Sequence, residues 1–141
     1  MSESTQQLVF RVWLRDTSDV AVARGRAREL AYAQGFPSSA AEALATAVSE
    51  VARNVIVHAG TGDMLLGIER NSGRIGVVAI TRDDGPGIPN IDDAMRDGHT
   101  TGGGLGLGLP SARRLVDAFE LRSVVGHGTT VSLTKWMPLD L

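Results

Sequence analysis

Between Thr81 and Leu109 the chain reads TRDDGPGIPNIDDAMRDGHTTGGGLGLGL, with two glycine-rich loops following an apolar run and Asp83 standing immediately before the first. A backbone of this composition bends sharply twice and approaches a neighbour closely twice, which only residues lacking Cβ allow. Upstream, Glu50 and Asn54 are four apart in a segment of helical periodicity, so their side chains share one face. An acid and an amide on one face, beside loops able to cradle anions, suit metal-assisted phosphoryl chemistry.

At 141 residues the chain fits one compact domain spanning residues 1–141, long enough to bury a core. A net charge of −2 offers no general attraction to polyanions, which argues against nucleic acid as a partner. There are no cysteines, so disulfides, thiolate nucleophiles and cysteine-ligated zinc are excluded. The start MSESTQQLVF lacks a secretory pattern, and no apolar run approaches the ~20 residues that span a bilayer. A cytoplasmic protein that does not enter the membrane is expected. The basic residues are thirteen arginines and one lysine, Lys135. No Gly-Lys-Ser/Thr sequence exists, which removes the P-loop, and a strand lysine followed by a His-Arg-Asp loop is missing as well. Any nucleotide must be held in another way.

Leu8, Phe10, Val12 and Leu14 alternate with Val9, Arg11 and Trp13, the pattern of a strand with one buried face. Val20, Ala23, Ala27, Leu30 and Ala31 predict a helix over residues 19–34, with N-cap candidates at Asp16 to Asp19 and a stop at Gly35 and Pro37. Ser39 and Glu42 have the spacing of a capping box, so a second helix is expected to begin near Ala40. Leu44, Val48, Val51 and Val55 form its buried stripe, flanked by Glu50 and Asn54, until His58-Ala59-Gly60. Residues 64–69 and 75–81 predict a hairpin. Ser111 to Phe119 has helical spacing, and Leu121 to Val125 with Thr129 to Trp136 predict a second hairpin around Gly126-His127-Gly128. The order favours an α+β, two-layer sandwich in which helices cover one face of a mixed, mostly antiparallel sheet.

Asp83-x-Gly85-x-Gly87 places a carboxylate at a strand end, where it can accept from the amino group of adenine. A plain turn rich in Asp, Gly and Pro has the same spacing. The second loop, Gly102 to Gly108, runs through Leu109 and Pro110 into a helix, where backbone N–H groups and the positive end of the helix dipole favour phosphate. A dinucleotide loop would need a preceding strand, but Asn90 to Thr101 is polar. Asn54 offers an oxygen to Mg²⁺, whose other ligands are commonly phosphate and water. Glu50, a turn earlier, can take a proton from an attacking hydroxyl.

Glu50-x-x-x-Asn54, Asp83-x-Gly85-x-Gly87, the Gly102 to Gly108 loop and Gly126-x-Gly128-Thr129, in that order, resemble the N, G1, G2 and G3 boxes of the GHKL (Bergerat-fold) ATPases. The resemblance covers residues 8–136. Within that superfamily the segments SEVARNV, DDGPGI, AMRDGHTTGGGLGLGLP and GHGTTVSLTKW are most similar to the small bacterial serine-protein kinases of partner-switching pathways, of the RsbT and anti-sigma-factor kinase type. The resemblance implies ATP and Mg²⁺ as ligands, with Asp83 on adenine, Thr129 behind it, Asn54 on the ion and Glu50 activating the nucleophile. Gly102, Gly104, Leu105, Gly106 and Gly108 would line the phosphates, and residues 91–101 would form a lid. Where the anti-sigma kinases carry a basic residue just before the second loop, this chain has Thr100 and Thr101.

The implied activity is phosphorylation of a serine or threonine on a STAS-domain antagonist protein. The alternative is a non-catalytic interaction module, either an anti-sigma factor holding a sigma factor or an activator of a PP2C-type phosphatase. A sensor histidine kinase fits poorly, because residues 1–40 contain neither a histidine nor a long dimerisation helix.

Overall fold

The computed structural model describes residues 4–96 and 108–139. In chain order the elements are β1 (Ser4–Leu14), α1 (Thr17–Ala33), α2 (Ser38–Ala59), β2 (Gly62–Asn71), β3 (Arg74–Asp83), α3 (Ile91–Ala94), α4 (Gly108–Leu115), β4 (Ala118–Val124) and β5 (Gly128–Trp136).

Local chemistry sets most of these boundaries. Asp16 accepts from the Ser18 N–H at 2.9 Å, and Asp19 accepts from the Asp16 N–H at 3.2 Å, so a capping box starts α1. The expected box at Ser39 and Glu42 does not form. Pro37 is the N-cap, without a side-chain cap bond, and Ser38 and Ser39 already lie in α2. Glu42 instead receives a two-pronged bond from Arg28 of α1, at 2.8 and 3.0 Å. A charge-assisted fork of this kind is stronger than a neutral cap bond, so it claims the carboxylate and pins α1 to α2. At the other end Gly60, with φ +87, donates to the carbonyls of Val55 and Ile56 and closes α2.

β2 and β3 join through Ser72 and Gly73, both at positive φ (52 and 82). Two such residues in a two-residue hairpin turn match the right-handed twist of the flanking strands. The sheet order is β1-β2-β3-β5-β4. All four ladders are antiparallel, which corrects the expectation of a mixed sheet. β4 does run in the direction of β3, but its hairpin partner β5 inserts between the two and pairs antiparallel with each.

The core lies between the sheet and the helices. Val12, Leu14, Met64, Leu66, Val77, Ala79, Val131 and Leu133 face Leu44, Val48, Val51 and Val55 of α2, together with Val20, Ala27 and Leu30 of α1 and Ala112 of α4. The anticipated α2 stripe is essentially inaccessible to water, at 0–1% exposure. On the opposite sheet face, Asp63 receives bonds from Arg11 and Arg82, at 2.8 and 2.9 Å, and Arg11 stacks on Trp13 with 4.3 Å to the ring centroid. No helix among the described residues is long and apolar enough to cross a membrane.

The helix expected over residues 111–119 is shorter and starts earlier. Asp117 N–H donates to the Thr134 carbonyl, and the Asp117 carboxylate accepts from Trp136 N–H at 2.7 Å. These bonds draw the chain into the sheet before Phe119, which pairs with Leu133.

Candidate active site

One helix connects the two ends of the site. From Glu50 to Ala59, α2 advances ~14 Å at 1.5 Å per residue. Near its middle, Glu50 and Asn54 are each half-buried at the rim of the core. The Glu50 Oε2 lies 2.9 Å from where a Cβ on Gly108 would stand. Any side chain at 108 would therefore displace the carboxylate, and the first turn of α4 rests directly against it. The other oxygen, Oε1, is 3.3 Å from the Arg53 guanidinium.

At the far end of α2, Ala59 packs against Gly85, and Gly62 passes close beneath the Asp83 side chain. Asp83 is the last residue of β3 and sits opposite Thr129 of β5. Its Oδ1 accepts from the Gly85 N–H at 2.9 Å, which folds the following loop back toward the strand end. Gly87 lies under the Val124 carbonyl, and Gly126 N–H donates to the Pro86 carbonyl at 2.9 Å, so the loop after β3 and the β4–β5 turn are packed on each other. Gly128 has φ +128, and a Cβ there would overlap the Asp83 carbonyl oxygen. Both the conformation and the space demand glycine.

Asp83, Gly85, Gly87 and Thr129 are thus gathered at the end of β3, and Glu50, Asn54 and Gly108 along α2. Gly102, Gly104, Leu105 and Gly106 lie outside the described residues, as do Thr100 and Thr101. In the described part of the stretch expected as a lid, α3 is a short helix capped by Asn90, whose side chain accepts from Asp93 N–H at 3.0 Å.

The donor set fits hard-ligand chemistry. No group of three or more His, Asp or Glu side chains among the described residues converges on a metal position, so an ion beside the Asn54 amide would complete its shell from phosphate oxygens and water, as Mg²⁺ commonly does. Two side chains escaped the motif reading. Arg53 is three residues from Glu50, a separation that places neighbours on a helix. Ser123 is a polar residue on the inward face of β4, after Phe119 and Leu121, where a strict period-two reading of that strand places it.

The model of the histidine kinase-like ATPase domain family matches residues 13–135. The chain belongs to that family. Among relatives in the family, the serine/threonine-protein kinase RsbT of Bacillus subtilis (strain 168) is 44% identical over 121 residues, which is 84% of this chain and 90% of that protein. The anti-sigma F factor of Priestia megaterium is 32% identical over 104 residues, and that of Geobacillus stearothermophilus 40% identical over 96. Each alignment takes in 64% of this chain and 65% of the relative. The histidine kinase domain of the Erythrobacter litoralis EL346 blue-light activated histidine kinase matches with a TM-score of 0.55 at 21% identity, over 86% of this chain and 60% of that one. That likeness is one of fold.

Proposed function

We propose that this chain is an ATP-dependent protein-serine/threonine kinase of a bacterial partner-switching pathway, acting in the cytoplasm on a STAS-domain antagonist protein. The observation that carries the reading is the single helix α2. It holds Glu50 against the start of α4 with Asn54 one turn further along, and its last turn packs on the loop of the strand end that bears Asp83. The likeness to the serine/threonine-protein kinase RsbT over most of both chains supports the same activity.

In this mechanism Asp83 accepts from the exocyclic amino group of adenine, with Thr129 beside it on the neighbouring strand. The triphosphate would be held at the Gly108 end of the site, where the N-terminus of α4 offers backbone donors. Glu50 takes the proton of the substrate hydroxyl as that oxygen attacks the γ-phosphorus. A new P–O bond forms, the bond from the γ-phosphorus to the β-γ bridging oxygen breaks, and ADP leaves with the electron pair. Asn54 would hold Mg²⁺, which neutralises charge on the phosphate oxygens when bound. Arg53 keeps the Glu50 carboxylate at the rim of the site. The anti-sigma F factor relatives favour a second reading, in which the same nucleotide-bound domain also holds a sigma factor.

The test is transfer of label from γ-labelled ATP to purified STAS-domain proteins in the presence of magnesium. Glu50→Ala is expected to abolish transfer while ATP and the protein partner still bind. Transfer that survives this substitution would show that Glu50 is not the base.

A further inference from the structure

Three segments of the site meet at one hydroxyl. The Ser123 Oγ accepts from Ile88 N–H at 2.7 Å, lies 2.9 Å from the Thr129 Oγ1, and is 3.3 Å from the Gly128 carbonyl oxygen. A serine hydroxyl has one proton and two lone pairs. Ile88 occupies one lone pair. The proton then goes either to Thr129 Oγ1, or to Gly128 while Thr129 donates into the second lone pair. In the first arrangement Thr129 keeps its own proton to donate, and in the second that proton is spent on Ser123, so Ser123 sets what the Thr129 hydroxyl offers the site.

The same bonds hold the loop that starts at Asp83. Asp83 Oδ1 ties down Gly85 at the near end, and Ser123 ties down Ile88 at the far end. Between them the Gly126–Pro86 backbone bond fastens the loop to the β4–β5 turn. Among the described residues β4 is an edge strand, paired with β5 on one side.

We propose that Ser123 is a positioning residue for the base end of the nucleotide site. It sets the Thr129 hydroxyl and the 83–88 loop for adenine, and so controls affinity and base discrimination without touching the nucleotide. The inference rests on the reading that Asp83 and Thr129 receive the base.

The experiment is a double-mutant cycle with Ser123→Ala and Thr129→Val, measuring Kd for ATP and GTP by calorimetry with magnesium present. Ser123→Ala is expected to weaken ATP about fivefold to tenfold, roughly the net worth of one hydrogen bond at 1.4 kcal/mol per tenfold. The preference for ATP over GTP narrows, and kcat at saturating ATP stays within about twofold, as expected when only binding at the base is disturbed. The double variant loses less affinity than the sum of the two single losses, because the Ser123–Thr129 bond is lost only once, while the Ile88 bond adds its own share. Ser123→Thr, which keeps the hydroxyl, retains ATP affinity and serves if the alanine variant does not fold. Additive losses in the cycle, an unchanged Kd in Ser123→Ala, or no effect of Thr129→Val would each overturn the proposal. Asp83→Asn tests the underlying reading separately: undiminished ATP binding by that variant removes the base pocket itself, whatever Ser123 does.

Discussion

At Asp63 two arginines from different strands converge on one carboxylate, which is 8% exposed while Arg11 and Arg82 are about half exposed, at 50% and 49%. Burial pushes the Asp63 carboxyl up, but the hydrogen bonds and charges of Arg82 and Arg11 outweigh it and hold the group below its ordinary 3.8. A carboxyl lowered in the folded state stabilises the fold above its unfolded pKa, and that stability is lost as pH falls through the folded value. Asp63→Asn is therefore expected to cost about 1–2 kcal/mol near neutral pH, the range for charge-assisted bonds whose cations can return to water. The difference from the unsubstituted protein should stay constant above ~pH 5 and shrink below 3.8, and urea unfolding across that range measures it. A deficit that grows on acidification would contradict the assignment. Residues of this kind are hard to read from sequence, since Arg11 and Arg82 stand 52 and 19 positions from Asp63 and only strand register brings them together. Glu50 and Asn54 were legible because the helical period alone puts them on one face. Ser123 was not, because its meaning depends on Ile88 and Thr129 from two other segments.

Among the elements, the two helix starts show where local signals compete with tertiary ones. Asp16 and Asp19 find their partners next door, in the adjacent backbone, the Ser18 hydroxyl and a 4.0 Å pairing with Arg15, all compatible with capping α1. Glu42 has Arg28 within reach and abandons the backbone, which leaves Ser39 an exposed helical residue. Asp16→Ala is accordingly expected to lower the thermal midpoint by a few degrees. Ser39→Ala should leave the midpoint unchanged or raise it slightly, since alanine is the better helix former. Circular dichroism melts of the two variants decide the point, and a larger loss for Ser39→Ala would restore the capping box that the sequence pattern implied. The end of α4 teaches the same lesson. Ala112, Leu115, Val116 and Phe119 fit a helical repeat, yet Phe119 also fits the period of the strand it joins, and the sheet bonds at Asp117 choose between the two. Hairpins and the α2 stripe were legible because turn chemistry and periodicity agreed there. The direction of β4 relative to its neighbours was not, because no local pattern tells which strand of a hairpin will sit inside a sheet.

For the molecule as a whole, α2 is both the centre of the core and the frame of the site. The same helix that buries Leu44, Val48, Val51 and Val55 carries Glu50 and Asn54 on its rim and meets the Asp83 loop at Ala59. Nucleotide held at both ends of such a helix binds the folded state alone, since unfolding separates the strand end from α2. The linked gain in stability is RT ln(1 + [L]/Kd), about 2.7 kcal/mol at a hundredfold excess of ATP over Kd. For a domain of this size that corresponds to a rise of roughly 10 °C in Tm. With magnesium present, the unsubstituted protein should show this shift, and Glu50→Ala should keep nearly all of it, because in the proposed mechanism the base acts on the incoming hydroxyl and not on the bound nucleotide. Asp83→Asn should lose most of it, because an amide presents a donor where the amino group of adenine needs an acceptor. A scanning calorimetry series at fixed ATP excess separates the two ends of the site: a full shift in Asp83→Asn would place the base elsewhere, and a lost shift in Glu50→Ala would move that carboxylate from chemistry to binding.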